Sequence, residues 1–252
     1  MKWSNEYKIH YYYTDYNNIL KPSYIARYMQ ETAWNALKNR GPTPEYLKEN
    51  NLAFILSKIS FRYYEEILED DIIKVETWAN PAKGMIFPRN YRIYKDGKTA
   101  AEATSAWVLV DIKEKNILRP EVLDEKFTAY DDEELDFGVQ KRFKVPEEIE
   151  MNIYSEYKVR YSDIDTYFHM NNVAYIDLVC DNLYADSDII SPDLKKRLIS
   201  LDVNYNSEAR FAQIIEINVG QGLEENHEYY IRAKVKDAGQ NCFEAKAVLI
   251  RG

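Results

Sequence analysis

Between Arg160 and Asn172 the chain reads Arg-Tyr-Ser-Asp-Ile-Asp-Thr-Tyr-Phe-His-Met-Asn-Asn, a dense run of groups that can hold, give or take a proton. Asp165 and His169 supply a carboxylate and an imidazole four residues apart, the pairing that general acid and base chemistry uses. A second carboxylate, Glu208, sits in Tyr-Asn-Ser-Glu-Ala from Tyr205 to Ala209. Asn171 and Asn172 stand where a helical pattern begins, so capping is one reading and binding the other. Between the aspartate and the histidine lies Tyr167, whose hydroxyl reaches several ångströms farther from the backbone than a short polar side chain would. His10 and His227 stand apart from these groups and read as surface or sheet residues.

The elements that must position such groups follow from the rest of the chain. Its 252 residues are 46% apolar, enough for one large core or two ordinary domains. The formal charge of −9 argues against a duplex nucleic-acid surface, which needs clustered Lys and Arg. No apolar run approaches the about 20 residues of a membrane helix. The start lacks the layout of a signal peptide, and a soluble protein of the cytoplasm is expected. Cys180 and Cys242 have no Cys-x-x-Cys spacing and support neither a disulfide scaffold nor a thiolate metal site. No metal and no cofactor is expected.

The chain repeats itself. A shift of 150 residues lays Tyr7 to Asp15 over Tyr157 to Asp165, pairing Asp15 with Asp165, Asn17 with Tyr167 and Ile19 with His169. One further residue of shift lays Ser23-Tyr24-Ile25 over Ala174-Tyr175-Ile176. At a shift of 142, Ile59, Phe61, Tyr63, Glu66, Ile72, Ile73 and Val75 fall on Leu201, Val203, Tyr205, Glu208, Ile214, Ile215 and Ile217. Each copy therefore reads strand, polar loop, helix, then alternating strands, and one long repeat means duplicated domains rather than a solenoid.

The first helix is expected from about Ser23 to Arg40, with Pro22 in its first turn and Gly41-Pro42 ending it; the second from about Asn172 to Tyr184. The first is apolar over much of its girth, so a curved antiparallel sheet wrapped round it is the economical arrangement. The expected organisation is α+β: an N-terminal domain over 1–130, a linker over 131–150 whose acidic run Asp131 to Glu134 is solvated, and a C-terminal domain over 151–252.

One helix within a curved antiparallel sheet, made twice, is the hotdog arrangement, and Ser162 to Asp177 resembles the acyl-ACP thioesterase family. That family carries Asp-x-Asn-x-His followed by Val-Asn-Asn and an aromatic-Ile step, matched by Asp165, Tyr167, His169, Met170-Asn171-Asn172 and Tyr175-Ile176. Its Tyr-Arg-Arg-Glu-Cys strand is matched by Tyr205 to Ala209. The chain departs twice, with Tyr167 for asparagine and Ala209 for cysteine, and the second departure disfavours a cysteine nucleophile.

The resemblance implies hydrolysis of fatty acyl-ACP, with acyl carrier protein as partner and no nucleic acid or membrane. Asp165, His169 and Glu208 would be catalytic, with helix N–H groups on the carbonyl oxygen. Tyr167, Asn171, Asn172, Tyr28, Met29 and Trp34 would contact substrate, the last three along an acyl tunnel in the first domain. The same short motif is similar to acyl-CoA thioesterases, and a silent acyl-binding protein is the reading from another class. A monomer or a homodimer is expected. Lys195-Lys196-Arg197 and Lys141, Arg142 and Lys144 offer basic ground for an acidic carrier.

Overall fold

Alternation of apolar and polar residues every second position produces strands with one buried face, and each half of the chain builds a sheet from them around a helix. The computed structural model describes residues 2–123, 127, 130–183, 196–222 and 227–251. It divides into two compact units, Met1–Gln140 and Lys141–Gly252.

In the first unit β1 (Trp3–Lys8) precedes α1 (Pro22–Arg40) and the short α2 (Pro44–Glu49). Strands β2 (Leu52–Tyr63), β3 (Ile72–Ala79), β4 (Ile86–Lys95), β5 (Lys98–Asp111) and β6 (Asn116–Leu118) follow. The antiparallel order is β1-β3-β4-β5-β2, with β6 on β5. Asp96-Gly97, both at positive φ, make the tight turn from β4 to β5 that a right-twisted hairpin requires.

The second unit repeats this topology. Its strands are β7 (Asn152–Lys158), β8 (Lys196–Tyr205), β9 (Ile214–Gln221), β10 (Glu228–Val235) and β11 (Asn241–Arg251), with α3 (Asn172–Leu183) between β7 and β8. Their order β7-β9-β10-β11-β8 is that of the first unit, strand for strand.

Helix α1 presents Ser23, Ile25, Ala26, Met29, Thr32 and Ala36 to the interior. The apolar surface of α1 is narrower than its composition implies: Arg27, Gln30, Glu31, Trp34 and Lys38 are exposed, and Trp34 lies under the Lys38 ammonium. Large amphipathic rings raise an apolar count without being buried, which misled the composition argument. Helix α3 buries most of its surface, from Val173 to Ile176 and again at Leu178, Val179, Asn182 and Leu183. Tyr184, the expected end of this helix, lies outside the described residues.

The run Asp131 to Glu134, expected to be solvated, is tied down. The Trp78 indole donates to the Glu133 carbonyl (2.7 Å), the Asn80 amide donates to the Asp131 carbonyl (2.6 Å), and Arg92 pairs with the Glu133 carboxylate (2.7 Å). Leu135 is buried just beyond it.

Candidate active site

The loop before α3 is a backbone device that the chain uses twice. In the second unit the Asp165 N–H donates to the His169 carbonyl (3.0 Å), and the Phe168 N–H donates to the Asp165 carbonyl (3.1 Å). The Asp165 Oδ1 accepts the Tyr167 N–H (2.9 Å), and Phe168 takes the left-handed conformation at φ 64°. In the first unit Asp15, Asn17, Asn18 and Ile19 make the same three bonds at 2.8, 3.0 and 2.8 Å, with Asn18 at φ 64°. Both loops then dock alike on the segments that follow β8 and β2: the Met170 N–H donates to the Ala209 carbonyl (2.8 Å), as the Leu20 N–H does to that of Ile67 (2.7 Å). An aspartate at this position is therefore first a turn-maker, closing a short loop through its own side chain.

The backbone match holds at 150 residues through the helix start, because Asn171 donates to the Asp163 carbonyl (2.8 Å) as Lys21 does to that of Tyr13 (3.1 Å). The one-residue shift inferred from Tyr-Ile in both helices is thus corrected. Position for position, Asn172 stands on Pro22 and Tyr175 on Ile25.

With one backbone in common, the side chains carry the difference. His169 and Glu208 meet in the second unit, Nε2 to Oε2 at 2.9 Å. The histidine side chain is 28% exposed and the glutamate 51%, so the pair opens to solvent. Ile19 and Glu66 occupy the same places in the first unit and make no such pair.

Asn171 is the helix cap: its Oδ1 accepts the Val173 N–H (2.9 Å) and its carbonyl accepts that of Ala174 (2.9 Å). The Asn172 N–H has no partner among the described residues, while the matching position in the first unit, Pro22, has no N–H to offer. The Asn172 carbonyl accepts the Tyr205 hydroxyl (3.0 Å).

Tyr175, which sequence reasoning did not single out as a site residue, lies beneath this start. Its hydroxyl accepts the N–H of Ala209 (2.9 Å), the residue after Glu208. Burial raises the phenol well above its ordinary range, and the charges of Glu208 and Asp165 add to the rise, so both carboxylates are felt at this one hydroxyl.

Tyr167 is 65% exposed, and its hydroxyl has no hydrogen bond among the described residues. Tyr28 packs on Tyr7 (ring centroids 4.4 Å), and burial pushes its phenol up to about 12; Met29 is buried and Trp34 exposed, all three in the first unit. Cys180 is half-buried and Cys242 buried, the latter's thiol pushed up to about 11 by burial. Of the basic candidates, Lys196 reaches the Tyr229 hydroxyl (3.2 Å), Arg142 bonds Asn206, and Lys195 lies outside the described residues. No cluster of metal-ligating side chains occurs among the described residues, nor does a helix long and apolar enough to cross a membrane.

The model of the acyl-ACP thioesterase N-terminal domain matches residues 1–130, and that of the C-terminal domain matches 146–248. The chain belongs to the acyl-ACP thioesterase family. It is 28% identical over 209 residues to the oleoyl-acyl carrier protein thioesterase 2 of Arabidopsis thaliana, covering 76% of this chain and 55% of that one. To the palmitoyl-acyl carrier protein thioesterase of the same plant it is 25% identical over 197 residues, covering 73% and 46%. The chain thus spans about half the length of the curated relatives it matches.

Among solved structures of the family, an acyl-ACP thioesterase from Bacteroides thetaiotaomicron superposes with a TM-score of 0.85 at 21% identity, covering 99% of this chain and 98% of that one. The 12:0-ACP thioesterase of Umbellularia californica gives 0.82 at 16% identity, covering 100% and 94%. The fold of the chain is therefore the tandem hotdog of this family, each unit a helix wrapped by a curved antiparallel sheet.

Proposed function

We propose that the chain hydrolyses the thioester of a fatty acyl group carried on acyl carrier protein, releasing the free fatty acid and the carrier's thiol. The observation that carries this reading is the His169–Glu208 pair at 2.9 Å, made in one copy of a duplicated loop and not in the other.

Glu208 can only accept, so its bond to His169 puts the imidazole proton on Nε2 and leaves Nδ1 with the lone pair. Nδ1 removes a proton from water as the water oxygen attacks the thioester carbonyl, and Glu208 steadies the imidazolium that results. The carbonyl oxygen gains charge, and the Asn172 N–H at the positive end of α3 is the donor for it. When the C–S bond breaks, the proton on His169 passes to the leaving thiolate. Asp165 holds the loop through Oδ1, and its charge orients the attacking water.

The test compares purified wild type with His169→Ala and Glu208→Gln on matched acyl-ACP and acyl-CoA. Wild type should turn over acyl-ACP faster, and each variant should lose about 100-fold or more in kcat with its fold intact. A preference for the CoA ester would change the carrier. An unchanged rate in folded Glu208→Gln would remove the site.

A further inference from the structure

We infer that Tyr175 is the positioning residue of this site: its hydroxyl, bonded to the backbone of Ala209, fixes Glu208 at the distance His169 requires. The inference rests on the hydrolase reading and extends it to a residue that touches neither water nor thioester.

Ala209 is fully buried, and each of its backbone groups goes to a different element: the N–H to Tyr175 on α3 (2.9 Å), the carbonyl to Met170 of the loop (2.8 Å). Met170 follows His169 and Ala209 follows Glu208, so the two bonds clamp the backbone of both partners one residue from each side chain. Glu208 itself is exposed, and without a fixed backbone a 2.9 Å contact between two solvent-open side chains is weakly held.

The tyrosine is itself held. Only 2% of it is exposed, and its ring meets Tyr205 (centroids 5.8 Å, 72°) and Phe243 (5.4 Å, 69°) edge-on. Such packing leaves the hydroxyl one position to occupy. Burial disfavours loss of the phenol proton, and the hydroxyl oxygen accepts the Ala209 N–H.

The first unit supplies the comparison. There the matching loop docks through Leu20 and Ile67 on the segment that follows β2, but the helix position is Ile25, buried and without a polar atom, and no pair like His169–Glu208 forms. A hydroxyl is thus unnecessary for building this junction. It appears in the unit where a glutamate must be aimed.

The experiment is a double-mutant cycle of Tyr175→Phe and Glu208→Gln on acyl-ACP, with thermal unfolding and amide exchange at Ala209. Tyr175→Phe should lower kcat about 10-fold with KM unchanged and speed exchange of the Ala209 amide, since a buried N–H loses its acceptor. In the Glu208→Gln background the same change should cost less than about twofold, because there is no carboxylate left to aim. Tyr230→Phe, which removes a part-buried hydroxyl bonded to Glu228 elsewhere in the unit, should leave kcat unchanged.

An equal loss in both backgrounds would make Tyr175 a packing residue and overturn the inference while leaving the hydrolase reading intact. A wild type inert on thioesters would overturn both. Should Tyr175→Phe fail to fold, 3,5-difluorotyrosine at 175 keeps the ring and weakens the acceptor; it should lower kcat only where Glu208 is present, and no change would refute the role.

Discussion

Asn172→Pro separates what the backbone of α3 does from what its side chains do. The substitution removes one backbone N–H together with the amide side chain, and Asn172→Ala removes the side chain alone. That N–H has no partner among the described residues, so no helical bond is lost, and proline is favoured at the first helical position. The first unit already carries Pro22 there, on a loop with the same bonds, after a cap residue in the extended conformation that proline demands (φ −60°, ψ 139°). The Asn172 carbonyl stays free to accept from Tyr205.

Stability should therefore change by less than about 1 kcal/mol. If the N–H receives the oxyanion, its loss should cost about 100- to 1000-fold in kcat, or about 3 to 4 kcal/mol of transition-state stabilisation. Asn172→Ala, which keeps the N–H and loses the amide side chain, should stay within about threefold of wild type. The assay is steady-state release of carrier thiol from acyl-ACP, beside thermal unfolding. A folded Asn172→Pro enzyme with wild-type kcat would refute the oxyanion assignment, and a loss shared by Asn172→Ala would move it to the side chain.

Three further outcomes follow from the same geometry. Asp165→Asn keeps an acceptor for the Tyr167 N–H, so it should unfold with wild type while losing hydrolysis; Asp15→Ala should cost about 1 kcal/mol of stability and leave kcat alone. Tyr167→Asn, removing a hydroxyl without a partner among the described residues, should hold kcat within about threefold, and a large loss would mean that the phenol acts on substrate. At pH 8 a thiol raised to about 11 is about one part in a thousand thiolate, so Cys242 should resist a disulfide reagent in the folded protein and react on unfolding; fast native labelling would contradict its burial.

Much of this was legible because strands and repeats leave period-2 and fixed-offset signals in a sequence. The 150- and 142-residue shifts carried the topology, and the pairing of Ile19 with His169 singled out the second copy. What failed has physical causes. A helix stripe of apolar residues tolerates a slip of one position, and Tyr-Ile in both helices invited it; only the bonds from Asn171 to Asp163 and Lys21 to Tyr13 fix the true register. The slip set Tyr175 against Tyr24 and hid that its counterpart is Ile25. The contact of Tyr175 with Ala209 spans 34 residues, and no local pattern announces it. The acidic run at 131–134 looked solvated because its partners, Trp78, Asn80 and Arg92, come from strands far back in the chain.

The two units together say why carboxylates alone do not make this site. Asp15 and Asp165 close the same turn, and Glu66 and Glu208 sit at the same place after the matching strand, so neither acid distinguishes one copy from the other. What differs is a proton carrier opposite the glutamate, a backbone donor at the helix start and an acceptor for the residue after the glutamate. Those are His169 for Ile19, Asn172 for Pro22 and Tyr175 for Ile25. On the proposed mechanism each change would supply a separate requirement of thioester cleavage: a base, a place for the oxyanion, and fixed geometry for the base's partner. A histidine alone at position 19 would face Glu66 with no N–H at position 22 to receive the developing charge and no hydroxyl to hold the junction. On the proposed mechanism, reactivity would reside in the coincidence of the three changes on one loop–helix junction, on a loop backbone that both copies share.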